Sequence, residues 1–183
     1  MSEEYLVRYS SPTLAGIKTG SLFMCPMDSR ENVIQEISRY NQLLLDKGLC
    51  MVPVKFNADS VLIYVFRPKR LENDLNAPMA RKILKNAGYG SSTCMGFLSE
   101  LLERVRKGGD FPHEIGLFLS YPPEDVKGFM DNSAENYKCV GDWKVYGDVN
   151  AAKRTFALYD RCKRTYCRLI KKGMSLRELV VAV

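Results

Sequence analysis

Hydrophobic residues divide the chain into segments with helical spacing and segments with strand-like density. A stripe at spacings of three and four predicts a helix between Asp28 and Gly48. Its apolar members are Val33, Ile37, Tyr40 and Leu44. Two β-rich runs, LCMVPVKF and VLIYVF, flank four turn residues and predict a β-hairpin. Pro53 within the first run places that strand at a sheet edge or at a bulge.

The middle of the chain is predicted to be helical, with one further strand. Pro78 divides a helical stretch that begins near Lys69, and another helical stripe ends at Gly108. The run EIGLFLSY predicts a strand, and a short helix with Pro123 and two acidic residues in its first turn follows. We therefore predict an α+β fold in a single globular domain, residues 1–183, with helices packed on a mixed β-sheet.

The clearest element is a long amphipathic C-terminal helix that begins at Asp148 and continues to about Lys172. Apolar residues recur along one side of it: Val149, Ala152, Phe156, Tyr159, Tyr166 and Ile170. Basic residues follow the opposite side: Arg154, Arg161, Arg164, Arg168, Lys171 and Lys172. The pattern predicts a helix with one face on the core and a basic face toward water.

The formal net charge of +6 comes entirely from the C-terminal part of the chain. Residues 1–147 contain 18 basic and 18 acidic residues, whereas residues 148–183 contain nine basic and three acidic residues. An uneven charge of this kind is typical of a surface for an anionic partner, and arginine suits bidentate carboxylate or phosphate contacts. The alternative is an ordinary solvated helix face.

Composition excludes several classes of protein. The N-terminal stretch MSEEYLVRYS is acidic and lacks the apolar region of a secretory signal, and the longest apolar run, Val61–Phe66, is too short for a membrane span. The six cysteines are scattered, no C-x-x-C pair occurs and there is one histidine. We therefore predict a cytoplasmic location with reduced thiols and no metal site, and the sequence indicates no particular cofactor.

The only histidine, His113, precedes Glu114 and is the candidate for catalysis. An imidazole can act as a general base. Its partner could be Glu114 or a cysteine nucleophile such as Cys25, Cys94 or Cys139. No local signature supports such a pair, so a hydrogen-bonded structural histidine is the alternative.

Trp143, with nearby tyrosines, could stack a base or a flavin ring, although packing is the more frequent role.

Four stretches carry a resemblance to a known family: PTLAGIKTGSLF, YVFRPKRL, FPHEIGLFLSYPPEDVKGF and KCVGDWKVYGD. Together they resemble the bacterial family known as domain of unknown function 3793, over nearly the whole chain. The chain departs from the family at Ser120, where glycine is usual. The resemblance implies no established activity. It implies a link to iron or redox physiology, since relatives are encoded near flavodoxin or ferrous-iron uptake genes.

We predict a non-catalytic binding or accessory protein whose basic C-terminal helix engages an acidic partner, for which a flavodoxin-like protein is a candidate. One alternative is an enzyme that uses His113 with a cysteine or with Glu114. Another is a nucleic-acid-binding protein, which would require exposed aromatic side chains beside the basic face.

Overall fold

The computed structural model of the protein describes residues 1–182, so the last residue of the predicted basic segment lies outside the described residues. The chain forms two compact units. The first contains residues 1–70 and the chain from Tyr159 onward, and the second contains Leu71–Leu158. The single-domain organisation stays a prediction.

Helices and a small sheet confirm the α+β class, and the long C-terminal helix is also confirmed. The helices are α1 Glu3–Leu14, α2 Arg30–Leu44, α3 Pro68–Asn76, α4 Pro78–Asn86, α5 Cys94–Lys107, α6 Pro123–Asp131, α7 Val149–Lys171 and α8 Leu176–Leu179. Short 3-10 helices occupy Leu45–Lys47 and His113–Leu119. The strands are β1 Gly20–Pro26, β2 Cys50–Phe56, β3 Ser60–Phe66, β4 Cys139–Val140 and β5 Lys144–Val145.

The sheet of the first unit has the order β1-β3-β2, with β3 in the centre. The predicted hairpin is confirmed as β2 and β3, and its turn is closed by the Asn57 N–H donating to the Ser60 carbonyl at 2.8 Å. Pro53 lies on edge strand β2, next to a register shift between Pro53 and Lys55, as predicted. Every described strand pairing is antiparallel, however, so the predicted mixing of strand directions is wrong.

The core of the first unit lies between the sheet and helices α1, α2 and α8. Helix α1 was not predicted, because two of its buried positions are serines rather than apolar residues. The hydroxyls of Ser10 and Ser11 donate to the carbonyls of Leu6 and Val7 one turn earlier, which allows these polar residues to be buried inside the helix. The helix begins at Ser2, whose side chain accepts from the Tyr5 N–H.

The second unit packs α4, α6 and the 3-10 helix His113–Leu119 against one another. The sequence predicted a strand for this last segment, and that prediction was wrong. Residues 114–119 are all buried, and a short apolar run buried on every side cannot be assigned to a strand or a helix by its pattern alone. Ser120 ends the segment with φ 63°, in the left-handed region, and the Tyr121 N–H donates to the Gly116 carbonyl.

Helix α7 begins and ends where the sequence predicts. The carboxylate of Asp148 accepts from the N–H groups of Asn150 and Ala151 at 2.8 and 3.0 Å, and these bonds lower the pKa of Asp148. Gly173, with φ 89°, follows its C-terminal end. None of the helices within residues 1–182 is both long and apolar enough to cross a membrane.

Candidate functional site

Five basic side chains follow the C-terminal half of α7 in the first unit and form what we call the basic ridge. They are Arg161, Arg164, Arg168, Lys171 and Lys172, and all are exposed. An α-helix turns by 100° and rises by 1.5 Å for each residue. The five side chains therefore lie within an arc of about 100° around the helix axis and along about 17 Å of its length. Arg154 is also exposed, but it lies in the second unit. The ridge therefore presents its positive charge to water.

Few carboxylates of the chain neutralise the ridge. Arg164 pairs with Asp160 one turn earlier, with Nη1 and Oδ2 2.5 Å apart. Both side chains are exposed, so the pair contributes little to stability. Within residues 1–182, no carboxylate lies within ion-pair distance of Arg161, Arg168 or the two lysines of the ridge. Four positive charges of the ridge thus have no ion-pair partner within residues 1–182.

A groove runs beside the ridge, between α1 and α7 of the first unit, and has a volume of about 480 Å³. Arg8 of α1 and Lys163 of α7 line it and add two exposed cations to those of the ridge. Glu4 and Asp160 are the acidic residues in its lining. The positive surface therefore continues from α7 to the N-terminal helix.

His113 and Glu114 are not brought together by the fold. His113 is exposed on the wall of a cavity of about 340 Å³ in the second unit, with its ring edge-to-face against Phe129 at 5.0 Å. Glu114 is buried, and its Oε1 accepts from the Tyr89 hydroxyl at 3.0 Å and lies 3.5 Å from Arg104 Nη1. Glu114 therefore has structural partners of its own, and no hydrogen bond joins the two candidate side chains.

The cysteines offer no activated nucleophile near His113. Cys94 and Cys139 do not line its cavity. Burial raises the pKa of the Cys94 and Cys25 thiols, which lowers the fraction of reactive thiolate. Within residues 1–182, no group of three or more His, Cys, Asp or Glu side chains could hold a metal ion.

Trp143 is part of the packing of the second unit. Its ring stacks on the Tyr121 ring, with 5.0 Å between the ring centroids, and forms an edge-to-face contact with Phe156 at a centroid distance of 4.5 Å. Other rings of the protein therefore already contact Trp143 from two directions. Its Nε1 donates to Asp125 Oδ2 at 2.7 Å. Burial raises the pKa of Tyr121 to about 12, and its hydroxyl donates to the Asp142 carbonyl. The structure thus favours packing over stacking of a ligand for Trp143.

Asp125 holds Trp143 in its packed position. The sequence had indicated only that Asp125 lies in the first turn of a helix. Its side chain is buried, and Oδ1 accepts from the N–H groups of Tyr146 and Gly147, each at 2.7 Å. One carboxylate therefore joins α6 to Trp143 and to the chain after β5. No sequence signal separates such an acid from an exposed one, because both occur in the first turn of a helix.

The sequence model of the family described as Protein of unknown function (DUF3793) matches residues 6–180. The chain belongs to this family. No curated protein and no solved structure matches it. In this DUF3793 member, Ser120 has a positive φ, a backbone conformation that favours glycine.

The stretch YVFRPKRL of this DUF3793 member contains a residue that sequence reasoning missed. Arg67 is 1% exposed, yet no carboxylate in the described residues pairs with it. Its guanidinium donates to the carbonyls of Thr13 (2.6 Å), Leu14 (2.7 Å), Val181 (2.8 Å) and Lys47 (3.1 Å). Burial lowers the pKa of Arg67. The side chain thus joins the end of α1 to two other segments of the first unit.

Proposed function

We propose that this protein is a cytoplasmic, non-catalytic accessory protein whose basic ridge binds an acidic protein. The observation that carries the proposal is the exposure of five basic side chains on one arc of α7, four of them without an ion-pair partner in the described residues. Charges arranged in this way accelerate encounter with a partner of opposite sign and orient it.

The absence of aromatic side chains from the described arc of the ridge favours an acidic protein over single-stranded nucleic acid. Three of the five ridge residues are arginines, which form bidentate contacts with carboxylates and with phosphates alike. A single-stranded nucleic acid would also require aromatic rings on which bases stack. The described residues on the arc of the ridge include none. A flavodoxin-like protein is the partner that we propose to test first, since proteins of this class carry acidic surfaces.

The experiment compares two variants with equal net charge. In the first, Arg161, Arg164 and Arg168 are changed to Glu. In the control, three exposed lysines that are not part of the ridge are changed to Glu: Lys69, Lys82 and Lys85. Binding of each variant to a purified acidic flavodoxin and to a DNA duplex of random sequence is measured by titration at low and at high salt.

We expect the wild type and the control to bind the flavodoxin at low salt and to lose affinity as salt increases. The ridge variant should bind at least about tenfold more weakly, because three attractive contacts become repulsive. Equal flavodoxin affinity of the ridge variant and the control would refute the proposal. Preferential binding of the DNA duplex would instead support the nucleic-acid alternative.

The enzyme alternative has one observation in its favour, namely that His113 lies on a cavity wall. It requires a second titratable group within hydrogen-bond reach of the imidazole, and Glu114 is bound elsewhere. The geometry therefore supports binding of an acidic protein by the basic ridge better than it supports catalysis.

A further inference from the structure

The cavity beside His113 has aromatic walls and lies wholly within the second unit. We call it the aromatic cavity. Its lining includes five rings: Phe111, His113, Tyr121, Phe129 and Trp143. Phe111 is 45% exposed at this site, and Val140, which also lines it, is 63% exposed. Large apolar side chains at the mouth of a concave, ring-lined space are typical of a small-molecule site.

The walls of the aromatic cavity are held in place by contacts among the residues that line it and with Phe156. The Asp125 carboxylate fixes the Trp143 indole, and Tyr121 and Phe156 pack against the same ring. Close packing also excludes a side chain at Gly116, where a Cβ atom would lie 2.7 Å from Val126. A site whose walls are fixed before binding loses little entropy when a ligand enters.

Among the polar side chains that line the aromatic cavity, His113 and Lys144 can donate hydrogen bonds to the edge of a bound ring. The imidazole of His113 has no hydrogen-bond partner among residues 1–182. The ammonium of Lys144 donates to the Ala134 carbonyl at 2.8 Å, which leaves two further N–H groups. Both groups lie near the Phe129 ring. The centroid of the His113 ring lies 5.0 Å from the Phe129 centroid, and the Lys144 nitrogen lies 5.9 Å from it. A ligand stacked on Phe129 would therefore meet donors at its edge.

The volume of the cavity sets the size of the ligand. An apolar cavity of about 150 Å³ accommodates one benzene ring. The aromatic cavity, at about 340 Å³, has room for two fused rings but not for a dinucleotide. We infer that the aromatic cavity binds a planar two-ring heteroaromatic molecule with hydrogen-bond acceptors along one edge.

Trp143 provides the assay because it is the only tryptophan in the chain and lines the aromatic cavity. Its fluorescence therefore reports on this site alone. The full-length protein is titrated with hypoxanthine and with quinazolin-4-one, two planar bicyclic probes that carry ring nitrogens and a carbonyl. Cyclohexanecarboxylate, which has acceptors but no planar ring, is the control probe. We expect saturable quenching by at least one planar probe and none by cyclohexanecarboxylate.

Two variants then locate the site. Phe129→Ala removes the stacking surface and should weaken binding about tenfold. His113→Ala removes an exposed donor that the described fold does not use, and should weaken binding about fivefold. Asp110→Ala, an exposed neighbour that does not line the cavity, should bind like the wild type. The inference is overturned if neither planar probe gives saturable quenching, or if His113→Ala binds as tightly as Asp110→Ala.

Discussion

Replacing Arg67 by methionine should lower the free energy of unfolding by about 3 kcal/mol. Methionine has a similar length and needs no charged partner, so the change removes the guanidinium without leaving a large void. Two of the four bonds that are lost, to the carbonyls of Thr13 and Leu14, are fully buried. The bonds to Lys47 and Val181 are partly exposed, and water can replace them.

The magnitude follows from the two buried bonds. A hydrogen bond to a charged group contributes about 1.5–3 kcal/mol. The lower figure applies here, because the Thr13 carbonyl also accepts from the Gly16 N–H and the Leu14 carbonyl also accepts from the Val181 N–H. Two bonds at about 1.5 kcal/mol give a total of about 3 kcal/mol.

Unfolding by urea, followed by far-ultraviolet circular dichroism, measures the change. The matched control is Arg70→Met, because the Arg70 side chain is half-buried and donates one hydrogen bond, from Nη1 to the Gly16 carbonyl at 2.7 Å. That variant should lose about 1 kcal/mol. Arg67→Lys keeps the charge but offers one nitrogen in place of three, so it should recover only part of the loss. A loss for Arg67→Met no larger than that for Arg70→Met would refute the reasoning.

Three further changes test other parts of the structure. Asp125→Ala should lower the free energy of unfolding by about 3 kcal/mol, because three N–H donors lose their acceptor, and it should change the emission of Trp143. Gly128→Ala should destabilise the protein by about 1–3 kcal/mol in thermal unfolding, although alanine normally favours a helix, because its methyl group would overlap the Tyr146 ring. Asp148→Ala should lower the unfolding midpoint at neutral pH but not in acid. Because folding lowers the pKa of Asp148, its contribution is complete above about pH 4 and disappears as the pH falls through the folded-state value.

Each of these changes has an internal comparison. Asp142→Ala removes an exposed carboxylate beside Trp143 and should leave stability nearly unchanged. Gly90→Ala places a methyl group where no atom lies within 4 Å, so a loss as large as that of Gly128→Ala would contradict the steric argument. A difference between wild type and Asp148→Ala that persists unchanged at about pH 2 would show that the carboxylate charge is not the cause.

Elements with local signals were predictable from the sequence. The β2–β3 hairpin, the edge position of Pro53 and the start of α7 at Asp148 each depend on residues that are close together in the chain. The candidate ridge was predictable for the same reason, since helical spacing alone places Arg161, Arg164 and Arg168 on one side.

Other features depend on partners that are distant in the chain. Helix α1 has two serines at buried positions, and residues 113–119 form a 3-10 helix although their apolar run resembles a strand. Glu114 is buried because Tyr89 and Arg104 provide its partners, and neither residue is near it in sequence. The pattern of a single segment contains no information about such partners.

By itself, the sequence determined the α+β class, the order of most elements and the side of α7 on which the positive charge lies. Only the tertiary structure decided that His113 and Glu114 have separate environments, that Asp125 anchors Trp143, and that Arg67 joins the end of α1 to residues 47 and 181. The physical reason is the distance along the chain over which each interaction acts. Capping, turns and helical periodicity act over a few residues, whereas the burial of a charged or polar side chain depends on acceptors and donors that folding brings from elsewhere in the chain.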